Sequence, residues 1–289
     1  MRFPLRLIRS RWPDVVERRL GRFLWDDPSV ITRDDVTPAA FRDAMKAIHV
    51  GGTYKITGKD RHGPADALLI DHVDLSGASI VDMGASDGST SVDLVERVPD
   101  FASYVIADLY LSVQRVRSGS RTVFFAPDGT CVLVVGRRLL AWPGLSPLMA
   151  LMCLPTVRRA RRSGAALEEV LLLNPETRRL MARDPRVSYA VHDVFEPWPG
   201  PSPDVIKVAN LLRRLYFSDE DICRALRSLL ASLDEGGHLL ILDNPRIPGI
   251  DIRAGLFRRV QDRFELVATT TEEPEILDLV LSPGVRTTR

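Results

Sequence analysis

From Ala78 onward, short apolar runs of strand length alternate with stretches whose apolar residues recur every three or four positions, the pattern of an α/β chain. Ala78–Asp82 predicts a first strand and Thr90–Val98 a helix, with a break at Pro99-Asp100. Tyr104–Ala107 predicts a second strand closing on Asp108, Val187–Val191 a third, and Asp204–Ala209 a fourth ending at Asn210. Ser218–Leu233 predicts the strongest helix: Ser218 and Asp221 form a capping box, and Ile222, Ala225, Leu226, Leu229, Leu230 and Leu233 make one stripe. Gly236-Gly237 stops it before a fifth strand, His238–Leu242. Asp251–Arg263 predicts a further helix, and Phe264–Thr270 and Glu275–Leu281 two terminal strands.

Two regions lie outside this alternation. Residues 1–73 predict an N-terminal extension, mostly helical up to Ile48 and then irregular through G-G-T-Y-K-I-T-G-K-D-R-H-G-P. Residues 109–165 predict a lid-like insertion between the second and third strands of a domain spanning 74–289. Within the insertion, Arg121–Val135 predicts a hairpin turning at Asp128-Gly129, a pair that tolerates positive φ. The uncharged stretch Leu139–Pro155 follows, interrupted by Pro143, Gly144 and Pro147, and then Arg158, Arg159, Arg161 and Arg162. This stretch is too short to span a bilayer as a helix. Three roles stay open for it: an interfacial membrane contact through 139–162, a wall of an apolar acceptor pocket, or the core of the insertion itself. Asn174-Pro175-Glu176 predicts a helix cap that restores the alternation.

The 289 residues, 45% of them hydrophobic, suffice for one large α/β domain with additions. Three widely spaced cysteines, Cys131, Cys153 and Cys223, form no metal or redox pattern and read as reduced thiols of a cytoplasmic protein. The net charge of +1 hides an asymmetry: residues 1–22 carry seven arginines against two acids, and residues 109–165 carry nine against Asp128 alone. Either these segments dock on the acidic remainder or they meet an anionic partner. No recognition fold or series of base-stacking aromatics points to nucleic acid. The histidines share no ligand spacing with cysteine or acid, so no metal is expected.

The chemistry concentrates in Ala78–Ser91, A-S-I-V-D-M-G-A-S-D-G-S-T-S. A strand, a glycine turn and a helix start are how α/β folds hold nucleotides. Dinucleotide folds that grip a pyrophosphate keep carboxylates away from this strand tip, whereas Asp82 suits a ligand with a cationic end.

D-M-G-A-S-D-G resembles the first motif of class I S-adenosylmethionine-dependent methyltransferases, with Ser86 where a glycine usually stands. The run from A-N-L-L-R-R-L-Y-F-S-D-E-D-I to L-D-E-G-G-H-L-L-I-L is similar to the fourth and fifth strand region of that family. The resemblance implies a doubly wound, mostly parallel seven-stranded sheet with a C-terminal antiparallel hairpin, and S-adenosylmethionine as cofactor. It implies that Asp82, Gly84, Ala85, Ser86, Asp87 and Gly88 surround the methionine part, and that Asp108 takes the ribose hydroxyls. Asp193 would then meet the adenine amino group and Val194 the ring, with Asn210 and Tyr54 also at the ligand. Lys55 joins Tyr54 as a contact of the irregular segment, the alternative being a surface loop.

A sulfonium methyl group is already activated, so alignment and exclusion of water are the main demands on the protein. Asn210, Tyr216 and His192 are the catalytic candidates, and none forms a nucleophile–base pair by spacing. Arg213 and Arg214 would bind an anion or form a solvated helix entry. The expected activity is methyl transfer to a small, apolar or amphiphilic acceptor. The alternatives are an NAD(P)-dependent oxidoreductase, against which Asp82 and the lack of a tyrosine–lysine pair at four-residue spacing argue, and a non-catalytic scaffold that binds the cofactor.

Overall fold

A computed structural model describes residues 5–33, 35–50, 53–54, 61–245 and 251–285, with backbone alone at 53–54 and 283. The chain forms two compact units, residues 58–109 with 177–289 and residues 1–57 with 110–176. Each is built around a sheet of seven strands.

The first of these units has strands β1 (Ser79–Met83), β2 (Ser103–Asp108), β3 (Val187–Val191), β4 (Val205–Ala209), β5 (His238–Asp243), β6 (Arg253–Val260) and β7 (Arg263–Thr269). Their order is β3-β2-β1-β4-β5-β6-β7. The first five are mutually parallel, and β6 and β7 run antiparallel. This is the α/β architecture expected from the alternation. The order reverses between β1 and β2 on one side and β1 and β4 on the other, so the carboxyl ends of β1, β2 and β4 border the crevice where such sheets bind ligands.

Its helices are α1 (Gly63–His72), α2 (Ser89–Arg97), α3 (Pro175–Arg183), whose first two residues are counted with the other unit, and α4 (Asp219–Ser232). Ser218 accepts from the Asp221 backbone N–H at 3.2 Å and donates its hydroxyl to the Asp221 carboxylate at 2.7 Å. Such a cap contributes about 1 kcal/mol. The predicted apolar stripe of α4 is buried to its last member and packs with Ile206, Val208, Leu239 and Ile241.

Two terminal elements differ from the reading of the sequence. Asp251–Arg263 is not a helix; most of it is β6. Gly255 would weaken a helix interior by about 1 kcal/mol. In the strand its missing side chain makes room for the Phe257 ring, whose Cζ would lie 2.8 Å from a Cβ there. Glu275–Leu281 is not a strand: it holds the short helix Leu277–Val280, which buries Ile276 and Val280, four residues apart, in the core. The antiparallel hairpin therefore exists, but β6 and β7 make it, one element earlier in the chain.

The other sheet has the order 168–171, 112–118, 121–125, 131–135, 139–141, 5–8, 24–25, antiparallel except for the last pair. The expected hairpin is present, with Gly129 at φ 81° and Asp128 Oδ1 accepting from Thr130 N at 2.8 Å. The N-terminal region is less helical than expected: besides helices Asp14–Leu20 and Pro38–Met45 it contributes strands Leu5–Ile8 and Leu24–Trp25. Leu5–Ile8 becomes a strand because Leu139–Ala141, more than a hundred residues away, supplies its hydrogen bonds. The apolar stretch is resolved into strand Leu139–Ala141 and helix Pro147–Arg162. Ser146 caps that helix by accepting from Met149 N, Pro147 occupies its first turn, and Pro155 lies inside it. Its Met149, Cys153, Val157 and Ala160 pack on Val116, Val123 and Phe125 of the sheet, so this side of the stretch is core. All three cysteines are free, and burial pushes the Cys131 thiol up to about 12. Among the described residues no helix is long and apolar enough to cross a membrane.

Candidate functional site

The turn after β1 is held by backbone geometry that small residues permit. Gly84, Ser86 and Gly88 have φ of 75°, 59° and 74°. Gly84 N and Ala85 N both donate to Ala107 O, at 2.8 and 3.1 Å, and Ser86 N donates to Asp108 Oδ2 at 2.8 Å. The tip of β2 therefore fixes the turn after β1. Asp87 is fully buried and accepts from Ser89 N at 3.0 Å, closing the start of α2. A Cβ on Gly84 would lie 2.7 Å from Leu211 Cδ2, and one on Gly88 2.6 Å from Thr177 Cγ2. The glycines thus admit side chains of this protein. Ser86 carries its left-handed conformation at some cost for a residue with a Cβ, and its buried Oγ has no partner among the described residues.

Asp82 lies under the turn, fully buried. Its Oδ2 accepts from Ser91 Oγ at 2.7 Å and from Tyr104 Oη at 3.0 Å, and its Oδ1 has no partner among the described residues. On β4 the residue paired with Asp82 is Lys207, also fully buried, whose Nζ donates to Asp66 Oδ1 on α1 at 2.7 Å. Asp66 Oδ2 is unpartnered as well. Burial raises the Asp66 carboxyl above its ordinary range despite the adjacent ammonium, and burial followed by the charge of Asp82 holds the Tyr104 phenol well above its own.

At the tip of β4, Asn210 takes a left-handed conformation, φ 57°. Its Oδ1 accepts from Asn244 N at 2.8 Å, which fixes the amide orientation, so Nδ2 faces His62 Nε2 at 3.3 Å and donates to it. His62, at the start of α1, is buried and is held well below its ordinary range by burial first, then by the charges of Lys207 and Arg61. The ring is therefore neutral near pH 7 with Nε2 accepting, which puts its proton on Nδ1, a buried donor with no partner among the described residues. Asp243, at the tip of β5, accepts from Glu275 N at 2.9 Å through Oδ2, and its Oδ1 has no partner among the described residues. Burial raises its carboxyl above the ordinary range.

Of the remaining expected residues, His192 donates its backbone N–H to Asp108 O at 3.2 Å. His192 is buried, its Nε2 hydrogen-bonds Glu196 O at 3.0 Å, and its ring meets Trp198 edge-on. Asp193 accepts from Phe195 N at 3.1 Å, and Val194 is buried in the core cluster of α4 and the sheet. Tyr216 is exposed. Neither neighbouring arginine is a loose cation: Arg213 pairs with Glu275, and Arg214 with Asp219 and Asp278, at 3.3, 2.8 and 2.7 Å. Tyr54 lies in a two-residue strand paired with His49–Val50, its side chain outside the described residues, as is the whole of Lys55. Among the described residues no group of three or more histidines, cysteines or acids is placed to hold a metal ion.

Reading of the sequence passed over His62 and Asp243. Asp243 follows the same rule as Asp108, an acid ending a strand of this sheet, and was open to detection on that ground. His62 had no such signal, since its role depends on Asn210, 148 residues away.

No protein-family model and no curated protein matches the sequence. Among solved structures, the chain is similar to phosphoethanolamine N-methyltransferase 1 of Haemonchus contortus, at 12% identity over 81% of this chain and 33% of that one, TM-score 0.36. It is similar to the N-methyltransferase NodS of Bradyrhizobium japonicum, at 14% identity over 63% and 67%, TM-score 0.33. It is similar also to the [4+2]-cyclase SpnF, at 14% identity over 62% and 43%, TM-score 0.31. The aligned part spans about a third of the first of these proteins. Similarities of this size assign no reaction. By its own strand order and directions, the unit of 58–109 and 177–289 is an α/β, Rossmann-like fold.

Proposed function

We propose that this chain binds S-adenosylmethionine at the carboxyl ends of β1, β2 and β4 and transfers its methyl group to a small molecule. The observation that carries this reading is the turn itself: a left-handed Gly84–Ser86–Gly88 run, tied by Ser86 N to the Asp108 carboxylate, with unpartnered Ser86 Oγ and Asp82 Oδ1 beside and below it. Leaving a buried polar atom unpaired costs about 1–3 kcal/mol. Hydroxyls, an ammonium and a carboxylate on one ligand are groups that would satisfy such atoms.

The residues fit the cofactor in kind. Asp108 accepts the Ser86 N–H at the tip of β2, and a carboxylate there suits a ribose diol. Ser86 Oγ and the His62 Nδ1–H are suited to a carboxylate, and Asp82 Oδ1 to an ammonium. When bound, the cofactor supplies an electrophilic methyl group. The chain's own residues then have to orient an acceptor and, where it must lose a proton, take that proton. His62 is neutral with its Nε2 held by Asn210, and Asp243 is a carboxylate whose burial raises its proton affinity. A small amphiphilic acceptor remains the class to test first.

A non-catalytic binding protein is the second reading. It is favoured by Leu211 and Thr177, which fill the space over the two glycines, and by the structural bonds that engage His192, Arg213 and Arg214.

Calorimetric titration with S-adenosylmethionine, its demethylated product and NAD(P) tests the proposal. Binding of the first two alone is expected, with Asp108→Ala weakening it at least tenfold. Binding of NAD(P) alone would sink it, and tight cofactor binding without turnover across an acceptor panel would favour the second reading.

A further inference from the structure

Helix Pro147–Arg162 buries one side in its own sheet and presents the other to solvent. The exposed side is ordered along its length. Leu148, Leu151 and Met152, with relative exposures of 67%, 65% and 57%, occupy the first half, and Arg158, Arg159 and Arg162 occupy the second. At 100° per residue these six positions fall within an arc of about 120°. Single exposed leucines are ordinary on protein surfaces, but three large apolar residues on adjacent turns that continue into three arginines form one directed surface. Arg161 is excluded from it, since it turns back to donate to Gly129 O and lies over the Phe125 ring.

Charge selects the occupant. Between Asp128 and Glu168 the chain has six arginines and no acid. The unit that carries the helix, residues 1–57 and 110–176, has twenty basic against eleven acidic residues, a net of +9. The helix is about 24 Å long and contains Pro155, so it is too short to cross a bilayer, yet its apolar-then-basic face has the pattern of a helix lying in a lipid interface. Arginine forks pair with phosphate in two-point hydrogen bonds, and phosphate is the group that repeats across such a surface.

We propose that the outer face of helix Pro147–Arg162 docks on an anionic lipid surface, with Leu148, Leu151 and Met152 entering the acyl boundary and Arg158, Arg159 and Arg162 at the headgroup phosphates. This reading is independent of the methyl-transfer proposal.

Co-sedimentation of the full chain with vesicles of phosphatidylcholine, with and without phosphatidylglycerol, tests it. Binding is expected on the anionic vesicles only and falls as salt rises. Replacing the three arginines by glutamine reduces it by about a hundredfold, at about fivefold per arginine. Leu148→Ser with Leu151→Ser reduces it at least tenfold, and since both residues are exposed the variant keeps the parent's circular dichroism and melting temperature. Equal binding to neutral vesicles, no binding to either kind, or binding unchanged by both variants would overturn the proposal. So would a vesicle-free dimer, seen by sedimentation velocity and abolished by the arginine replacement, which would make a second copy of the chain the occupant.

Discussion

In the unit of the mostly parallel sheet, Asp66, Asp82, Tyr104 and Lys207 place charged and polar groups in the interior, while the antiparallel sheet leaves its arginines half-buried or exposed and fills its interior with apolar side chains. The first arrangement is costly. Each ion has lost its water and depends on one or two partners, so removing a partner leaves a bare charge. The second is tolerant, since an exposed arginine keeps its water whatever its neighbours do. The average charge of this chain says little about either unit. A net of +1 results from a basic unit that displays its charge and an acidic unit that hides part of its own.

The largest test of this contrast is Lys207→Met, which strands Asp66 without its ammonium and is expected to destabilise the parallel-sheet unit by about 3–5 kcal/mol in chemical denaturation. Adding Asp66→Leu should restore much of that loss. A neutral single variant would mean that the buried pair contributes nothing.

Next is the two-sided helix of the basic unit. Met149→Ala empties a buried position and should cost about 2–5 kcal/mol, whereas Leu148→Ser one residue earlier should change stability by less than about 0.5 kcal/mol. Equal effects would erase the distinction between its faces.

Gly84→Ala forces a Cβ into a left-handed position against Leu211 and should cost about 1–3 kcal/mol. Combining it with Leu211→Ala removes the clash while the backbone cost remains, so partial recovery in thermal melts is expected. No recovery would mean that Leu211 is not what excludes the side chain.

The smallest effect is a pH dependence. Asp243 has its carboxyl raised by burial, so its contribution to stability is present below the ordinary carboxylate range and is lost as pH rises through the folded value. Asp243→Asn lacks this loss. The stability of the variant relative to the parent should therefore increase as pH rises from about 4. A difference that shrinks over the same range would show that the carboxylate is favoured in the fold.

Legibility followed the range of the interactions. The apolar runs of strands β1 to β5, the cap and stripe of α4 and the hairpin turn at Asp128-Gly129 are patterns of closely spaced residues, and they were visible in the chain. The turn from Gly84 to Gly88 was visible for the same reason, and so was the acid closing β2. The predicted helix over Asp251–Arg263 failed because apolar residues two and three apart suit either period, and pairing with β5 settled the matter. His192 stands beside Asp193 in the sequence, while its bond to Glu196 O and its edge-on contact with Trp198 come from the folded loop.

By itself, the sequence determined the α/β alternation, the glycine turn with Asp82 before it and Asp108 at the next strand tip, and the basic, acid-free character of the segment after Asp128. These are properties of composition and short spacing. Tertiary structure alone decided that Leu5–Ile8 is a strand, that Lys207 meets Asp66, that Asn210 orients His62, and which side of helix Pro147–Arg162 faces water. Each of these depends on groups far apart in the chain, or on which side of an element is covered, and burial then sets the charge and hydrogen bonding that local pattern leaves open.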